Sequence, residues 1–69
     1  MALRKRSIAL AGHATSIALE PEFWTVIDDM ARARALSLAA LIGEIDASRG
    51  ERPLASACRL AALDFASGA

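Results

Sequence analysis

Apolar and polar positions divide this chain into two kinds of segment. Ser7-Ile8-Ala9-Leu10 returns nine residues later as Ser16-Ile17-Ala18-Leu19. In each copy isoleucine and leucine stand two apart, the spacing that puts both on one face of a strand. Strand-like segments are therefore expected over 7–11 and 14–19. Between them Gly12 is free to turn or kink the chain. Two accounts of the repeat stay open: coincidence in an alanine-rich chain, or two short strands able to form a hairpin.

From Glu20 the period lengthens. Pro21 suits the first turn of a helix, and Glu20 and Glu22 suit the positive end of its dipole. Phe23, Ile27, Met30 and Ala31 recur at spacings of three and four, with Trp24 beside them and Asp28, Asp29, Arg32 and Arg34 on the wetter side. This predicts a helix over 21–34. Ala35-Leu36-Ser37 breaks it, and Ser37 is a good N-cap. Leu38, Leu41, Ile42 and Ile45 then predict a second helix over 38–48, closed by Gly50. After Pro53, the residues Leu54, Ala57, Cys58, Ala61 and Phe65 share a face that Leu60 and Leu63 widen. They predict a third helix over 54–66. The fold class is mainly α with a short N-terminal β element. A basic arm over 1–6 leads into a single domain over 7–66.

Composition adds a demand for a partner. The chain has 69 residues, 55% of them apolar, yet 17 are alanines that bury little surface. A domain this small is marginal alone and usually needs disulfides, a metal or oligomerisation. Cys58 is the only cysteine, and with His13 it makes no zinc ligand set. No metal and no cofactor is expected, which leaves oligomerisation. No apolar run has the length of a membrane span, and the start is not built like a signal peptide, so a cytoplasmic chain with no membrane partner is expected. An enzyme is not expected: a single histidine, no tyrosine, no glycine-rich phosphate loop and no nucleophile–base pattern leave little to build one from.

A strand ahead of two helices needs a second strand for its backbone donors and acceptors. In a homodimer two copies of 14–19 can pair antiparallel about a two-fold axis. Ile17 and Leu19 would then face the helices, while Ala14, Ser16 and Ala18 would face outward. A two-stranded ribbon fits the major groove of DNA.

The run Thr15-Ser16-Ile17-Ala18-Leu19-Glu20-Pro21-Glu22-Phe23-Trp24, followed by Leu36-Ser37-Leu38-Ala39-Ala40-Leu41-Ile42, resembles the ribbon-helix-helix DNA-binding proteins, the class of the Arc and methionine repressors. Lys5-Arg6-Ser7-Ile8, Gly12-His13, Glu44-Ile45-Asp46 and Leu54-Ala55-Ser56-Ala57-Cys58-Arg59-Leu60 resemble a subgroup of small bacterial members with an additional C-terminal helix. The resemblance covers about residues 4–65. It implies a ribbon-helix-helix homodimer binding double-stranded DNA, usually as a transcriptional repressor. Ala14, Ser16 and Ala18 are then the base-facing ribbon positions, and Ser37, Leu38 and Ala39 match the phosphate anchor at the second helix. Free backbone N–H groups and the helix dipole favour an anion at such a place. The dimer core would hold Ile17, Leu19, Phe23, Trp24, Ile27, Leu38, Leu41, Ile42 and Ile45.

This chain departs from the pattern at the ribbon, where two reading positions are alanines. Alanine can touch a thymine methyl but makes no bidentate hydrogen bond to a base. The zero net charge also departs from strongly basic DNA binders. A second reading is therefore an interaction module, or an antitoxin-like partner, on the same fold, with a protein partner on the third helix and little specific DNA binding. Arg4, Lys5 and Arg6 are candidates for phosphate contact or for a solvated terminus. His13 is either a phosphate donor or a turn residue. Trp24 is read as a core or interface anchor, Cys58 as a small buried hydrophobe, and Asp28, Asp29, Glu44 and Asp46 as ordinary solvent-facing charges on helices.

Overall fold

The computed structural model describes residues 2–68. Two strands, β1 (Arg4–Leu10) and β2 (His13–Leu19), precede three helices, α1 (Pro21–Ala33), α2 (Leu38–Ser48) and α3 (Leu54–Ala66). The strands pair antiparallel within one chain, Arg4 opposite Leu19 and Leu10 opposite His13. The repeat is thus a hairpin, closed by Ala11 and Gly12 alone. Both have positive φ, 49° and 83°, the backbone of a type I′ turn. That turn suits the right-handed twist of the strands it joins.

The hairpin lengthens the first strand toward the N-terminus. Arg4, Lys5 and Arg6, expected as an arm ahead of the strand, are its first residues. The reason is register: β2 runs to Leu19, and the residue opposite Leu19 is Arg4. Two contacts from α1 hold this end. The Trp24 indole N–H donates to the Arg4 carbonyl at 2.8 Å. The Arg6 guanidinium donates to both carboxylate oxygens of Asp28, at 2.9 and 3.2 Å, and lies 4.5 Å from the centre of the Trp24 ring. Asp28 is therefore a partner for the strand rather than a charge left to solvent.

Ile8, Ile17 and Leu19 point from the hairpin into the core. There they meet Trp24, Ile27, Met30 and Ala31 of α1, Leu41, Ile42 and Ile45 of α2, and Ala57, Cys58 and Ala62 of α3. Phe23 and Leu38 pack against this cluster and are only partly buried. Seven of the nine large residues expected at a shared interface, all but Phe23 and Leu38, thus lie in the core of one chain. α3 contributes mainly small side chains, so it can sit close, and it packs against α1, α2 and β2. Leu60 and Leu63, on its other side, stay 44% and 55% exposed.

The helix ends follow their local chemistry. α1 closes with Arg34 as its C-cap. The Ala35 N–H then donates to the Arg32 carbonyl and the Leu36 N–H to the Ala31 carbonyl, at 3.1 and 2.8 Å. This is a Schellman motif, whose left-handed position usually holds glycine; here Ala35 takes it at φ 54°. Ser37 caps α2, its hydroxyl oxygen accepting from the Ala40 N–H at 3.1 Å. Gly50 supplies the positive φ, 63°, just past the α2 C-cap. Arg59 of α3 reaches back to Glu20 at the head of α1, with Nε 2.9 Å from Oε1. That hydrogen bond, with one from Glu20's own backbone, holds the Glu20 carboxyl below its ordinary pKa of 4.5. Burial pushes the Cys58 thiol up; this cysteine fills core space.

Candidate nucleic-acid interface

The hairpin has two faces, set by alternation along each strand. Ile8, Leu10, Ile17 and Leu19 take the inner one. The outer face carries Lys5, Ser7 and Ala9 from β1 and Ala14, Ser16 and Ala18 from β2. Lys5 is opposite Ala18, Ser7 opposite Ser16, and Ala9 opposite Ala14. All are exposed except Ala18, which is half-buried. The face is thus nearly level, with one long side chain, Lys5, at its end. Ser16, expected as the polar residue of the ribbon, has a second serine beside it on β1. The alternation from Ile8 shows that Ser7 faces outward, but only the hairpin register shows that it stands next to Ser16.

Edges matter as much as faces. The two strands form the whole sheet among the described residues. A two-residue turn makes its flanking pair, Leu10 and His13, a hydrogen-bonded one. Antiparallel ladders alternate, so His13, Thr15, Ile17 and Leu19 use their backbone groups toward β1. Ala14, Ser16 and Ala18 direct theirs to the free edge of β2. An open groove of about 580 Å³ runs beside that edge, walled across from it by Asp46 and Arg49 at the end of α2 and by Leu54 and Ala55 at the start of α3. His13 lies at the turn end of this groove and is exposed.

At the phosphate-anchor positions, the Ser37 hydroxyl is engaged with the Ala40 N–H. The backbone N–H groups of Leu38 and Ala39 are in the first turn of α2, where a helix leaves its donors without internal acceptors. Ala39 is exposed and Leu38 half-buried. The described residues hold no cluster of histidine, cysteine and carboxylate groups of metal-binding kind. None of the described helices is long and apolar enough to cross a membrane.

The ion pairs sort the cations. Arg6, Arg32, Arg34, Arg49 and Arg59 each hold a carboxylate, from Asp28, Asp29, Glu44, Asp46 and Glu20 in turn. Among the described residues Arg4, Lys5 and Arg52 take part in no ion pair. Arg4 and Lys5 adjoin at the start of β1, beside a hollow of about 330 Å³ that Pro21, Trp24 and Thr25 close from the α1 side.

The elements run as two strands and three helices, with small and polar side chains exposed on the outer face of the strands. This chain belongs to the ribbon-helix-helix family: the family described as "Ribbon-helix-helix domain" matches residues 3–66. That span takes in the hairpin and all three helices. The family is one of DNA-binding regulators rather than enzymes. No curated protein and no solved structure matches the chain.

Proposed function

We propose that the chain works as a homodimer, two copies joining through the free edges of β2, and that the dimer binds duplex DNA as a transcriptional repressor. The observation that carries this reading is the open edge at Ala14, Ser16 and Ala18, bordered by a groove and continuous with an exposed outer face. A strand edge with unpaired N–H and C=O groups is a template for a second strand, and a two-fold axis lets the same edge serve both copies. The paired β2 strands then present Ser16 at their centre with Ala14 and Ala18 on either side. Alanines on the ribbon favour contact with thymine methyl groups, and the hydroxyl of Ser16 supplies the polar contact. The first turn of α2, at Ser37, Leu38 and Ala39, anchors a phosphate.

Two substitutions at one residue separate assembly from reading. Ser16→Pro removes an N–H that points to the free edge and spares the bonds to β1, so it blocks the second strand. Light scattering is expected to report a monomer, and a labelled duplex from the region upstream of the chain's own gene is expected to show no retention. Ser16→Ala is expected to keep the dimer and the circular dichroism spectrum while weakening binding to that duplex. A parent protein that is monomeric at micromolar concentration, or that retains no duplex at low salt, overturns the reading.

A further inference from the structure

We propose that β1 is a phosphate-contacting rail along the ribbon, that Lys5 is its cation, and that Arg6 has no part in DNA binding. The inference rests on the β2–β2 pairing proposed above. In that pair the sheet is four strands wide, with a β1 on each outer side. Three interstrand spacings separate the two β1 axes by about 14 Å, while the major groove is about 12 Å wide. The β2 strands therefore lie over the groove and the β1 strands over its phosphate rims. The small side chains of the outer face let the sheet approach that closely.

Charge follows the same division. Lys5 is on the outer face, opposite Ala18, and holds no carboxylate among the described residues. Arg6, one residue along, is on the inner side, held by both oxygens of Asp28 and stacked on Trp24. Freeing it for a phosphate would break both contacts. Ser7, next on the outer face, adds a hydroxyl beside Lys5 for the same backbone. Lys5 and Arg6 thus stand in different surroundings, and the ribbon, which lacks long basic side chains of its own, takes its charge from the neighbouring strand.

The test is a salt titration of binding to a labelled random-sequence duplex, because phosphate contacts are read without regard to sequence. Each neutralised phosphate contributes about 0.9 to the slope of log affinity against log salt. Lys5→Gln, which removes one cation per copy, is expected to lower the slope of the dimer by about 1.8, and Lys5→Arg is expected to restore it. Arg6→Gln is expected to lower the melting temperature and leave the slope unchanged. Equal loss of slope in the Lys5→Gln and Arg6→Gln proteins overturns the proposal in favour of a detached basic arm. An unchanged slope in Lys5→Gln, with the parent still bound, overturns the rail and leaves the DNA-binding reading standing. Failure of the parent to bind any duplex overturns both.

Discussion

Ala11 and Ala35 hold positive φ, 49° and 54°, where an L-residue with a Cβ is held at a cost of about 1–2 kcal/mol. Each stands where the local hydrogen-bond pattern leaves no choice: the first residue of a type I′ turn, and the left-handed position of a Schellman motif. Asparagine and glycine respectively are the usual solutions. Ala11→Asn and Ala35→Gly are each expected to stabilise the fold by about 0.5–1 kcal/mol, read as a higher denaturant midpoint at unchanged slope. A lower midpoint for either contradicts the backbone described here. Neither position was legible as left-handed in the sequence. Gly12 announced a bend, but alanine carries no signal for positive φ, and Ala11 and Ala35 read like the other alanines of the chain. The signals that did read through were local: Ser37 as a cap, Gly50 as a terminator, Pro21 at a helix start.

Among elements, the three helices were readable because each buries a stripe at the spacing its own backbone imposes. The Ile-x-Leu repeat fitted two short strands able to form a hairpin, but alternation alone left coincidence in an alanine-rich chain equally open. Register settled it and moved the cations into β1. The Arg6–Asp28 pair was beyond sequence reasoning for a related reason: its partners are 22 residues apart on different elements, and no spacing rule joins a strand to a helix across a turn. The same holds for Arg59 and Glu20, 39 residues apart, which tie α3 to the junction between β2 and α1. Glu20 is held below its ordinary pKa of 4.5, so the folded state favours the carboxylate. Its contribution is complete above pH 4.5 and fades as pH falls through the lowered value. Both partners are about one-third exposed, so the effect is small. In urea titrations, Glu20→Gln is expected to be slightly less stable than the parent at neutral pH, with the gap closing at low pH. A gap that widens on acidification excludes this ion pair as its source.

For the whole molecule, the zero net charge conceals an uneven surface. Arginine–carboxylate pairs offset much of the charge on the helices and the strand–helix seams, and two of the three described cations outside such pairs, Arg4 and Lys5, adjoin at one end of the hairpin. The family was legible in the sequence because element order and cap positions survive in a single chain. The candidate site was legible only in part: Ala14, Ser16 and Ala18 followed from alternation, whereas Ser7 joins them only through the hairpin register, and the surroundings of Lys5 and Arg6 differ because Asp28 and Trp24 lie against the strand at Arg6.

The position of β1 has a further consequence. When two copies join through β2, the strand left at each margin of the sheet is β1, and by the same ladder alternation Lys5, Ser7 and Ala9 turn their free backbone groups outward. Unprotected margins invite further strands and, in time, fibres. Here the margin opens with Arg4-Lys5-Arg6, and charged side chains on an edge strand, lysine above all, oppose the addition of a further strand. In the dimer proposed above, the basic start of the chain is thus expected to keep the assembly from growing past two copies. Replacing Arg4 and Lys5 together with valine is expected to leave the dimer able to form but to make concentrated solutions turn turbid and bind an amyloid-reporting dye, while the parent stays clear. Equal clarity of the two proteins would show that something other than charge terminates the sheet.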